Sequence, residues 1–201
     1  YKRQADGSLS LAAGRIAVGY ALLASLATAL ALALQDGVPW VYPEPWVELS
    51  TGASLGLSAG LGVLLALVLI ALTRVCVNRF EWARHLHVEL RPVARELSNS
   101  RIVVIAGFSS LGEELLFRGL LQPWLGVALA ALLFGLVHQI PGPSRWVWVG
   151  WATIVGLALG AIYALTGSLL GPLLAHAVIN AVNLAYLRDH DPRPKPEPEP
   201  G

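Results

Sequence analysis

Apolar residues run along this chain in long unbroken blocks, and polar residues gather in the short stretches between them. Six blocks approach the roughly 20 helical residues needed to cross a bilayer core about 30 Å thick: 11–34, 51–73, 102–121, 123–140, 146–166 and 168–187. Each is predicted to be a transmembrane helix. The first lacks an A-x-A-like end, which favours a retained span over a cleaved signal. The breaks carry turn chemistry: "QDGVPWVYPEPW" at 35–46, Pro123 after Gln122, "PGP" at 141–143 and "TGS" at 166–168. Several are so short that the last four helices must pack as tight hairpins. The stretch 78–97 mixes apolar and basic residues at helical spacing, with Pro92 as a break, and is predicted to lie on the membrane surface. His85 and His87 within it, two positions apart, face different directions and are expected to be solvated. The tail "DPRPKPEPEPG" is too polar to pack. The pattern therefore predicts an all-α polytopic membrane bundle of about six transmembrane helices. Two helices and the interfacial segment occupy 1–100, a four-helix core 101–187, and a disordered Pro-rich tail 188–201.

Composition sharpens the membrane reading: 55% of the 201 residues are hydrophobic and only 13% are charged, with a mean hydropathy of +0.61, too apolar for a soluble domain of this size. The balance of 14 Lys and Arg against 13 Asp and Glu leaves no basic face, so nucleic acid is not an expected partner. The single cysteine, Cys76, has no intrachain disulfide partner and reads as a small packing residue. Charge placement sets orientation. Between the first two spans stand Asp36, Glu44 and Glu48 with no Lys or Arg, whereas Arg74, Arg79, Arg84, Arg91, Arg95 and Arg101 lie at and between the ends of the second and third. The positive-inside rule puts the second loop in the cytoplasm and both termini with it, alongside Lys2, Arg3, Arg188, Arg193 and Lys195. Trp40 and Trp46 on the outer side, and Trp146, Trp148 and Trp151 near the start of the fifth span, fit interfacial belts. The expected setting is an integral protein of a bacterial inner membrane, with membrane lipids as its surroundings.

Polar and charged groups at membrane depth are costly, and here they are concentrated in the last four spans: Glu113, Glu114 and Arg118, then His138, then His176, Asn180 and Asn183. The first two spans carry little comparable beyond Arg15. Glu114 and Arg118 are four residues apart, on one helix face, and can neutralise each other. Glu113 lies about 100° around the helix and is free to point elsewhere. His176 and Asn180 repeat the four-residue spacing, as do Phe134 and His138. At about 1.5 Å per residue, Glu113 and His176 each lie roughly 18 Å from the inner face, and His138 roughly 9 Å, a mismatch that calls for tilt or a later helix start. Taken together, a free carboxylate, two imidazoles and an amide supply a general base, a water-positioning or metal-binding pair and an oxyanion donor, the set a hydrolase requires.

Glu113-Glu114-x-x-x-Arg118, Phe134-x-x-x-His138 and His176-x-x-x-Asn180, in that order on successive hydrophobic helices, resemble the three motifs of the CPBP intramembrane proteases. That group contains the CAAX prenyl protease 2 enzymes and bacteriocin-processing or self-immunity (Abi-type) proteins. "ELLFRGLLQPWL" and "TGSLLGPLLAHAVIN" are similar to the family as well, and the resemblance covers about residues 101–187. It implies an intramembrane protease in which Glu113 with His138 activates a water, while His176 and Asn180 stabilise the oxyanion or place the water. Glu114, Arg118 and Phe134 are then supporting residues. It leaves two options for the cofactor: a glutamate-type site that needs none, or zinc held by Glu113, His138 and His176. No H-E-x-x-H is present, which favours the first. The implied partner is a protein or peptide with a membrane-associated segment. It is a lipidated or membrane-embedded C-terminal segment or a small peptide precursor.

Three other readings explain part of the pattern. A haem protein would use His138 and His176 as axial ligands but leaves the acids unexplained. A proton-coupled transporter would use the same groups as a relay, although the two halves show no inverted repeat. A non-catalytic immunity or scaffold protein of the same fold would keep the motifs without the chemistry.

Overall fold

The computed structural model describes residues 2–192, with side chains described from Gly14 onward. The side chains of Lys2 and Arg3, and residues 193–201 with Arg193 and Lys195, lie outside the described residues. The described chain is helical, in the order α1 (Lys2–Leu34), α2 (Thr51–Arg79), α3 (Glu81–Ala94), α4 (Asn99–Glu114), a π-helical segment (Leu115–Leu121), α5 (Gln122–Val137), α6 (Arg145–Thr166) and α7 (Leu170–Asp189). Ser50 and Ser98 accept the backbone N–H of Ala53 and Arg101 and so start α2 and α4. α6 stops at Gly167, whose φ of 75° is left-handed.

All six predicted blocks are helical, but two of them are not separated where Pro123 suggested. Asn99–Val137 forms one apolar helical stretch, so five helices are long and apolar enough to cross a membrane. The chain reverses instead at Gly126, with φ 74° and ψ 169°, a conformation that glycine adopts without penalty. Proline normally clashes with the carbonyl four residues back. Here the wider turn ahead of it, in which the Gln122 N–H bonds Phe117 O, accommodates Pro123 at the start of α5. Beyond Gly126 only residues 127–137 remain helical, about 16 Å at 1.5 Å per residue. Pro92 also fails to break its helix: it lies inside α3, close to the C-terminal end. At the other end of the chain, α7 continues through Arg188 to Asp189, and Asp191 pairs with Arg91 at 3.1 Å, so residues 188–192 are ordered against α3.

Close helix crossings rest on small residues. A Cβ on Gly171 would run into the Ser58 carbonyl, and one on Gly62 into Gly171, so α2 and α7 approach nearly backbone to backbone. Ser58 uses that proximity, donating to Ser168 O and accepting from the Gly171 N–H, both at 2.8 Å. Ala66, Leu69, Val155, Leu159, Ala175 and Ile179 fill the space between α2, α6 and α7. Ala24, Ala27, Leu115, Tyr163 and Leu169 knit α1 to the other half of the bundle. The α1–α2 connection straps one end: Tyr163 donates to Pro39 O, Tyr42 to Gly167 O, Trp46 to Ala164 O, and Leu169 back to Trp40 O. At the opposite, basic end, α3 lies across the bundle. His85 is exposed there as expected, but His87 is buried, its Nε2 2.9 Å from His190 O and its ring edge-on to Tyr186. α3 is pinned to the end of α7, which turns His87 inward.

Candidate functional site

Burying acids in an apolar bundle requires partners, and the pair predicted from spacing forms. Arg118 Nη1 donates to Glu114 Oε1 at 3.1 Å, with both side chains almost completely buried. The guanidinium also donates to Gly156 O of α6 at 3.0 Å and lies 4.4 Å above the Phe134 ring. Gly156 is needed there, because a Cβ would press on Phe134 and Ala131. One turn on, Gln122 repeats the device by donating to Gly160 O at 2.9 Å.

Spacing did not show that His176 joins this pair. Its Nδ1 stands 2.7 Å from Glu114 Oε1, so that oxygen accepts from an arginine and an imidazole at once. Across the ring, Nε2 of His176 is 3.7 Å from Glu113 Oε2, and Nε2 of His138 is 3.4 Å from the same oxygen. The depth mismatch for His138 is thus closed. Starting the returning helix at residue 127 rather than 123 moves His138 by about 6 Å, most of the discrepancy.

Hydrogen-bond partners assign the tautomers. His138 Nδ1 is 2.6 Å from Phe134 O, a carbonyl that only accepts, so Nδ1 carries the proton. His176 Nδ1 faces an oxygen of Glu114 already held by arginine, so it too donates. In their neutral forms both imidazoles therefore turn Nε2 lone pairs toward Glu113 Oε2, a buried oxygen that makes no hydrogen bond. Two Nε2 atoms within 3.7 Å of one carboxylate oxygen make a centre suited to holding a proton or the hydrogens of a water.

Asn180 lies one turn from His176 and donates to Ser109 Oγ at 3.3 Å, which fixes the amide on the wall of the same cavity. Asn183 is not part of this centre; it accepts from Arg74 at 2.9 Å. Phe134 stacks beside both imidazoles, with centroids 4.3 Å from His138 and 5.7 Å from His176. A residue that sequence reasoning passed over, Tyr20 of α1, lines the same cavity as Glu113 and packs its ring against Gly112. Its only signal is a phenol in an otherwise aliphatic run. The cavity, of about 430 Å³, runs from these groups to the underside of α3, through Trp82, Leu86, Leu90, Val155 and Ile179. Trp148 and Trp151 also line it.

Among the described residues no three His, Cys, Asp or Glu side chains are grouped to hold an ion. The haem reading fits poorly too, since a carboxylate oxygen stands against both Nε2 atoms where iron would have to be.

Fold and site together define a polytopic helical membrane protein with a glutamate–histidine centre inside its bundle. Residues 96–182 match the family described as type II CAAX prenyl endopeptidase Rce1-like. Across that segment the chain is similar to this family, as its three motifs led one to expect. It is also 34% identical over 87 residues to a Bacillus subtilis (strain 168) protein carried under the name uncharacterized protein YpbD. That alignment covers 43% of this chain and 46% of the relative, so the chain spans less than half of the relative's length. No solved structure matches the chain significantly.

Proposed function

We propose that this protein is an intramembrane endopeptidase that hydrolyses a peptide bond with a water activated by Glu113. The observation that carries the proposal is the convergence of Glu113 Oε2 with two Nε2 lone pairs, each histidine locked by a donated Nδ1 proton. A water donating to this centre has its own lone pair turned outward, toward a carbonyl in the cavity. In the proposed reaction the water's O–H bond breaks, its proton passes to Glu113 and its oxygen bonds the carbonyl carbon. Asn180, held by Ser109, stabilises the resulting oxyanion. Collapse then breaks the C–N bond as the proton from Glu113 moves to the leaving nitrogen. His138 shares that proton and His176 places the water, while Glu114 and Arg118 keep the His176 ring in register. Glutamate-type chemistry with no cofactor accounts for these roles.

An almost wholly apolar cavity suits a substrate whose cleaved bond adjoins a lipid chain or a membrane-embedded segment, and a small peptide precursor fits the same description. In the proposed orientation, set by the arginines around α3, the basic end and both termini face the cytoplasm of a bacterial inner membrane. Comparing the membrane and exported proteomes of cells carrying the wild-type protein or Glu113→Gln tests the reading. New peptide ends present only with the wild type name the substrate; identical sets of ends count against proteolysis and in favour of the scaffold or transporter alternatives.

A further inference from the structure

The residues matched to the family begin at 96, yet the cavity wall that faces Glu113 includes α1, far outside that segment. α1 runs alongside α4, and a close approach falls at the residue before the glutamate. A Cβ on Gly112 would stand 2.9 Å from the Tyr20 carbonyl oxygen and 3.1 Å from its ring. The glycine therefore seats the Tyr20 ring directly against the turn that carries Glu113. Tyr20 and Glu113 line the same cavity.

The chemistry of the centre gives this contact a purpose. With both Nδ1 protons committed to Phe134 O and Glu114, neutral histidines offer Glu113 only Nε2 lone pairs. A phenol keeps its proton across the working pH range. Among these groups, Tyr20 alone donates whatever the protonation state of the histidines. We infer that Tyr20 is a positioning residue for the proposed reaction: its hydroxyl holds the Glu113 carboxylate so that Oε2 stays turned toward His138 and His176. α1 thereby completes a site whose other members all lie in the family segment. This rests on Glu113 acting as the base.

The test compares full-length wild type, Tyr20→Phe, Glu113→Gln and the double variant in liposomes, with a farnesylated peptide as the cleavage probe and infrared difference spectra as a second readout. Tyr20→Phe keeps the ring against Gly112 and removes only the hydroxyl. The expected result is a kcat lower by about tenfold, the worth of one hydrogen bond to a charged group, with KM unchanged. The carboxylate stretch shifts on Tyr20→Phe in the wild-type background and does not shift in the Glu113→Gln background. A carboxylate band that stays in place, or an unchanged kcat on a cleaved probe, overturns the inference. If Glu113→Gln cleaves normally, the base assignment has failed, and the infrared comparison still reads the Tyr20 contact independently of activity.

Discussion

At the scale of single residues, the centre is built by assigning each charge a different neighbour. Glu114 is held through Oε1 by Arg118 and His176, whereas Glu113 Oε2 faces the two Nε2 atoms and belongs to the group proposed to accept a proton. The buried Glu114–Arg118 pair makes a stability prediction. Arg118→Leu strands a carboxylate in an apolar bundle and is expected to destabilise the protein by about 3–5 kcal/mol. The double change Glu114→Gln with Arg118→Leu recovers much of that loss, as read by thermal unfolding in detergent. Equal instability of the single and double variants would show that the pair is not the source. These charged residues were readable from the sequence because each is costly in an apolar helix and each motif repeats the spacing of one helical turn. Two features were not. A tyrosine costs little in a membrane helix, so Tyr20 gave no alarm, and the choice of His176 between two adjacent glutamates depends on where α7 crosses α4.

At the scale of elements, the π segment, Gly126 and α3 decide what spacing alone left open. Apolar block length identified every crossing helix, but Pro123 was read as a stop because proline ends an ordinary α-helix. A π turn ahead of it removes that conflict, and the reversal passes to Gly126, where it leaves α5 short enough to end at His138. Amphipathic spacing located α3 but not its docking against α7, which a single strand of sequence does not display. That docking buries His87 among Tyr186, His190, Arg91 and Arg74, and burial pushes its imidazole below the usual histidine value, with the neighbouring cations acting in the same direction. With a folded value below the unfolded one of about 6.5, His87 is neutral in the native state. Its contribution to stability is present above about pH 6.5 and is lost as pH falls through that value toward the folded one. Melting temperature measured between about pH 8 and 5 is expected to fall less for His87→Phe than for the wild type; parallel curves would remove His87 from the α3–α7 contact.

At the scale of the whole molecule, a strap seals one end of the bundle and an amphipathic helix lies over a cavity at the other, with the glutamate–histidine centre at the cavity's inner limit. The family segment supplies the charged groups, and the preceding helices supply the strap, much of the cavity wall and the contact from α1. The central claim is that Glu113, and not its neighbour Glu114, activates water in an apolar chamber without help from a metal. The most direct measurement is cleavage of a membrane-anchored peptide by purified wild type, before and after exhaustive chelation, and by Glu113→Gln of matched melting temperature. Undiminished cleavage after chelation and none by Glu113→Gln are the expected results. Cleavage by Glu113→Gln at the wild-type rate, or loss on chelation that zinc restores, would contradict that claim.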